Sequence, residues 1–128
     1  MASPIQITVT EDSIDEQEKV IVVRFDGQLD ESNIDDNAHI LYDLLEEMKE
    51  SSYLIFDFEG LTYMNSKSIG YLTDWHLKVK EKNGEIILAR ARENILDILN
   101  VVGLTQIIAS YPTIDEAKLA VLKEIENR

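Results

Sequence analysis

The order of hydrophobic patterns along the chain predicts an α/β fold, a mostly parallel sheet with an antiparallel N-terminal hairpin and helices packed mainly on one face. Two observations carry this reading. From Tyr53 onward, short apolar runs alternate with segments of helical periodicity, and right-handed crossovers between such units build parallel sheets. Before Tyr53, two β-branched runs follow each other with only a polar segment between them, as in a hairpin. The predicted order is ββαβαβαβα in a single domain over residues 1–128, with no internal repeat, linker or low-complexity segment.

Each element has its own reason. "IQITV" and "KVIVVRFDGQLD" are rich in β-branched residues, and the polar "TEDSIDEQE" between them suits an exposed connection. In "NIDDNAHILYDLLEEMKES", Ile34, Ala38, Leu41, Leu45 and Met48 form one helical stripe, with Asp35 and Asp36 in the first turn, where the helix dipole favours anions. "YLIFDF" is nearly continuously apolar, as expected of a strand covered on both faces. A short loop then leads to a helix that starts near Ser66 or Lys67 and ends at Asn83 and Gly84, a left-handed C-terminal cap.

"EIILAR" reads as the next buried strand. "NILDILNVV" places Ile95, Ile98, Leu99 and Val102 on one side of a short helix that Gly103 stops, with Leu104 folding back over its last turn. "TQIIAS" is expected as a peripheral strand. Thr113 and Glu116 have capping-box spacing, and Ile114, Ala117, Val121 and Ile125 continue an apolar stripe.

Composition narrows the function. With 45% hydrophobic residues among 128, the chain buries a core without disulfides or metals, and the lack of cysteine excludes thiol catalysis and fits a cytoplasmic location. No secretory signal or membrane-spanning run is recognisable, so membrane insertion is not expected. A net charge of -13 repels phosphate backbones and anionic head groups, which argues against direct nucleic-acid binding. Residues 1–64 hold 16 acids and 3 bases while residues 65–128 hold 9 of each, so the whole excess lies in the first half. If clustered in space, it would steer a basic protein surface toward the molecule; otherwise it is a solvated face.

Enzymatic constellations are missing. There is no Walker loop, GxSxG elbow or HExxH pair, and no cofactor or metal site is expected. His76 falls on the apolar face of its helix, expected as a hydrogen-bonded core or boundary residue, and His39 lies on an acidic helix; neither anchors a triad. Asp57 and Glu59 follow a strand, where a receiver domain places its phospho-accepting aspartate, but the first strand does not supply the acidic pair that would hold Mg²⁺. Trp75 and the tyrosines show no base-stacking spacing. What remains is "GLTYMNSKSIG", where Ser66 is either the residue that caps a helix or a hydroxyl placed near free backbone N–H groups that would stabilise an added phosphate.

At this point the residues resemble a family. "YLIFDFEGLTYMNSKSIGYL" is similar to the segment of bacterial anti-sigma factor antagonists of the STAS fold in which a strand, a D-[LF]-x-x-[LV]-x-[FY]-[MI]-[DN]-S stretch and a helix surround a phosphorylatable serine. "GQLD" resembles the family's GELD motif, and "NVVGLTQII" its late GL-x-x-x-I turn. The resemblance implies a non-catalytic protein that binds a serine-kinase anti-sigma factor and is inactivated by phosphorylation, with a PP2C-type phosphatase restoring it. By position, Ser66 matches the acceptor and Asp30 an acid that meets the kinase; Glu31, Asn65, Lys67 and Ile69 join it as partner-binding residues. Lys67 and Ser68 depart from the usual S-G-[LI]-G, and Ser68 becomes a second hydroxyl to test. The alternative is a constitutive scaffold or an accessory subunit of a signalling or transporter-ATPase complex, with Ser66 only a cap. A small enzyme using the strand-end loops is a third reading, without a convergent acid/base set to support it.

Overall fold

β-Branched and aromatic residues fill the segments that become strands, and stripes of Leu, Ile and Ala fill those that become helices. In the computed structural model, which describes residues 1–127, the elements run β1 (Ile5–Ser13), β2 (Lys19–Leu29), α1 (Ile34–Glu47), β3 (Tyr53–Asp57), β4 (Leu61–Met64), α2 (Ser66–Glu81), β5 (Glu85–Ala89), α3 (Glu93–Val101), β6 (Ser110–Tyr111) and α4 (Ile114–Glu126). One sheet has the order β1-β2-β3-β5-β6, and β4 also pairs with β2. Only β1 and β2 are antiparallel; the other pairings are parallel. The predicted fold class holds.

Alternation along the strands divides the core into two layers. Val23, Phe25, Leu54, Phe56, Ile86 and Leu88 face α1, α2 and α3, including Leu41, Leu72, Trp75 and Leu99. Val20, Val22, Tyr53, Ile55, Ile87 and Ala89 face Ala117 and Val121 of α4 on the opposite side. Three helices therefore share one face and α4 alone covers the other. The cover explains the sequence of β2: it is apolar on both faces through Val23, then Arg24 and Asp26 turn outward and pair with each other at 3.4 Å.

Four expectations are corrected. The hairpin strands run further than the polar connection suggested, leaving only residues 14–18 as the turn, where Asp15 Oδ1 accepts from the Gln17 and Glu18 N–H groups, each at 2.8 Å. The loop before α2 contains the extra strand β4. "TQIIAS" is not a strand: Leu104–Gln106 forms a 3₁₀ turn, and only Ser110–Tyr111 pairs with β5. Gly103, left-handed at φ 82°, ends α3 as expected, and Leu104 and Ile108 are buried as pegs, but Val102 and Ile107 face solvent.

β4 exists because β2 is longer than β3. Residues 21–24 of β2 pair with β3, and its end, from Gly27 to Leu29, pairs with β4, across a register shift at Gly27/Gln28. Gly60 lies between the two short strands, its carbonyl accepting from the Gly27 N–H at 2.9 Å, and a Cβ there would meet the Asp26 side chain at 2.0 Å. Among the described residues, no helix is long and apolar enough to cross a membrane.

Candidate functional site

Two strand-to-helix turns open side by side because their strands are paired neighbours. Leu29, the last residue of β2, stands opposite Met64, the last of β4, and the Asn65 N–H donates to the Leu29 carbonyl at 3.2 Å. α1 and α2 therefore start next to each other at the carboxyl end of the sheet, where parallel sheets present their sites. The acidic turn after β2 meets the serine-bearing turn after β4.

Asp30 organises the first turn. One carboxylate oxygen accepts from the Ser32 N–H at 2.9 Å and the Ser32 hydroxyl at 2.5 Å; the other accepts from Ser3 Oγ at 2.6 Å and Gln28 Nε2 at 3.0 Å. These bonds, Ser3 first, hold its carboxyl below the usual aspartate range. Asn33, buried beneath, donates to the Ser3 and Gln28 carbonyls at 2.9 and 2.8 Å and accepts from the Asp30 N–H at 3.1 Å. Asp30, expected as a contact residue, thus has both oxygens engaged within the chain, and Glu31 beside it is the solvent-facing acid.

The second turn corrects the expected cap. Asn65, not Ser66, is the N-cap of α2: its Oδ1 accepts from the Ser68 N–H at 2.9 Å and the Ser68 hydroxyl at 2.7 Å. Its Nδ2 donates to Glu31 at 3.3 Å, stitching the two turns together. Ser66 is the first helical residue and is exposed, and its hydroxyl has no hydrogen bond among the described residues. Its N–H and that of Lys67 precede the first intrahelical donor, Ile69, and have no backbone acceptor among the described residues, as a helix start dictates. Ser68, the second hydroxyl, is 0% exposed and Ile69, expected as a partner contact, 8%; both belong to the interior beneath the turn.

Lys67 bridges to α1. Its Nζ lies 2.7 Å from Asp35 and 3.7 Å from Glu31, and the Tyr71 hydroxyl donates to the other Asp35 oxygen at 2.7 Å. Bonding to Lys67 and then Tyr71 holds the Asp35 carboxyl low, while bonding to Asp35 raises both Lys67 and Tyr71. Tyr71 was not singled out from sequence; its signal was the four-residue offset from Lys67, which puts the two on one face of α2. Chemically, the arrangement offers an accessible hydroxyl beside two free N–H groups, in an acidic setting with one nearby cation.

The other candidates lie elsewhere. His76 is buried, but its Nδ1 has no partner among the described residues, so the expected hydrogen bond is not made there at that atom. His39 is exposed on α1. Asp57 is buried against Arg90, which donates to its two oxygens at 3.1 and 2.6 Å; Arg90 also reaches Glu59 at 2.9 Å. That carboxylate clasps the ends of β3 and β5.

An α/β sheet of this order, whose most elaborated surface is a pair of adjoining strand-to-helix turns, defines the class. The chain belongs to the STAS domain family, whose model matches residues 13–117. An anti-sigma-factor antagonist domain protein from Planctomyces limnophilus is 22% identical with a TM-score of 0.75, over 90% of this chain and 96% of that one. The Bacillus cell fate determinant SpoIIAA in its phosphorylated form is 18% identical with a TM-score of 0.62, over 89% and 99%. The SulP transporter STAS domain of Vibrio cholerae is 18% identical with a TM-score of 0.63, over 73% and 76%. At these identities, the shared property is the fold.

Proposed function

We propose that the protein is an anti-sigma factor antagonist that acts by partner-switching. It binds a serine-kinase anti-sigma factor in the cytoplasm through Glu31, Lys67 and the surface around them, and it is released when that kinase modifies Ser66. The kinase transfers the γ-phosphoryl group of ATP to Ser66 Oγ, ADP leaves, and the hydroxyl proton passes to the kinase's base. A PP2C-type phosphatase returns the serine. The STAS domain acts here by binding and supplies no catalysis of its own.

The observation that carries this reading is the exposed, unbonded Ser66 hydroxyl at the first position of a helix that Asn65 caps. Modification there costs the fold no cap, and a helix start tolerates a phosphate. The added charge, about -1.5 to -2, falls beside Glu31 and Asp35 and repels a partner chosen for its fit to the unmodified surface. Ser68, buried and bonded to Asn65, is not the acceptor.

Likeness to the Vibrio cholerae transporter domain favours a second reading, a constitutive subunit that packs through the same surface. Incubation with ATP and the serine kinases of the host, followed by intact mass and peptide mapping, separates the two. The switch requires one added phosphate, on Ser66, absent in Ser66→Ala. A chain that no host kinase modifies is a constitutive subunit.

A further inference from the structure

Lys67, the residue after Ser66, pairs with two acids of the facing turn, and a phosphate on Ser66 would change that pairing. Lys67 holds Asp35 at 2.7 Å and Glu31 at 3.7 Å, with side chains 42% exposed for the lysine and 53% and 72% for the acids. Ion pairs this open to water are weak. A phosphate dianion on the preceding residue carries more charge and more acceptor oxygens than either carboxylate, so it competes for the same ammonium.

We propose that Lys67 is the positioning residue of the switch: it ties the start of α2 to the turn before α1 while Ser66 is unmodified, and passes to the phosphate once Ser66 is modified. This rests on the reading of Ser66 as the acceptor. Asp35 and Glu31 are then left unpaired beside a new anion, with Asp36 next to them in the same helical turn. A partner that met a partly neutralised ridge meets an anionic one, and the side-chain ties across the two turns lose their ion pairs, keeping the Asn65–Glu31 and Tyr71–Asp35 bonds. Asp35 keeps its bond from Tyr71, whose ring stacks on Trp75 at 6.0 Å, so the rearrangement adjoins the only tryptophan of the chain.

The test uses the full chain with phosphoserine placed at position 66 during translation, so no kinase is needed. Phosphorus NMR follows the second ionisation of the phosphate, and backbone amide shifts follow residues 31–36. With Lys67→Met the second ionisation should rise by roughly half a unit, the effect of removing one cation a few ångströms away in water. Lys67→Arg should restore it. The amide response of residues 31–36 to the phosphate should be large in the wild type and in Lys67→Arg, and at least halved in Lys67→Met. An ionisation unchanged by Lys67→Met, or an amide response equally large in that variant, overturns the proposal. Because the phosphate is built in, such a failure concerns Lys67 alone; a host that never phosphorylates Ser66 defeats the acceptor reading instead.

Discussion

Asn65 takes the capping role that a serine at a helix start would otherwise perform, and this leaves the Ser66 hydroxyl free. Removing the Asn65 side chain takes away the acceptor for the Ser68 N–H and strands the buried Ser68 hydroxyl as well. Asn65→Ala is therefore expected to cost about 1–3 kcal/mol in urea unfolding, more than an ordinary cap, while Asn65→Asp keeps the acceptor and costs much less. His76 makes a second residue-scale prediction. Burial, with the Lys80 charge adding to it, lowers its ionisation below the ordinary histidine value of 6.5. The unfolded chain then binds a proton that the folded chain resists, so stability falls as pH drops below about 6.5. Asp30 and Asp35, also held low, act in the same direction, but only near and below the ordinary aspartate value of 3.8. Urea midpoints at pH 7.5 and 5.5 should therefore differ less in His76→Leu than in the wild type.

The elements are joined by side chains that bridge strand ends and helix ends. Lys82, at the end of α2, donates to the Leu45, Glu46 and Met48 carbonyls at 2.5, 3.2 and 3.1 Å, supplying the cation that the last turn of α1 lacks. Arg90 holds the buried Asp57 where β3 and β5 end, with its own backbone left-handed at φ 57°. Arg90→Met leaves that carboxylate buried and unpaired, and should destabilise by about 3–5 kcal/mol, measured by chemical unfolding. The helices were legible in the sequence because each carries a long stripe: Ile34, Ala38, Leu41, Leu45 and Met48 are all buried. β4 was not, because four residues show no period and its pairing is set by the length of β2. The bonding of Asp30 was hidden for a similar reason, since Ser3 lies 27 residues away and neither residue signals the other. "TQIIAS" misled because its apolar residues brace a turn rather than line a strand.

Across the whole molecule, the acidic turn at residues 30–36 and the Ser66 turn come together because β2 and β4 are neighbours in the sheet. Sequence resemblance marked Ser66 and Asp30 as a pair, and the fold brings their turns side by side, with Asp30 also bonded into its own turn and Glu31 and Lys67 exposed beside it. In the proposed switch, a charge added at Ser66 decides which partner the protein keeps. Its most direct test is a quantitative pull-down from the native host, using the wild type, Ser66→Ala and Ser66→Asp as baits and mass spectrometry as readout. A serine kinase should be retained by the wild type and Ser66→Ala, and depleted at least tenfold with Ser66→Asp, about 1.4 kcal/mol or more of lost affinity. Equal retention of that kinase by all three baits would contradict it.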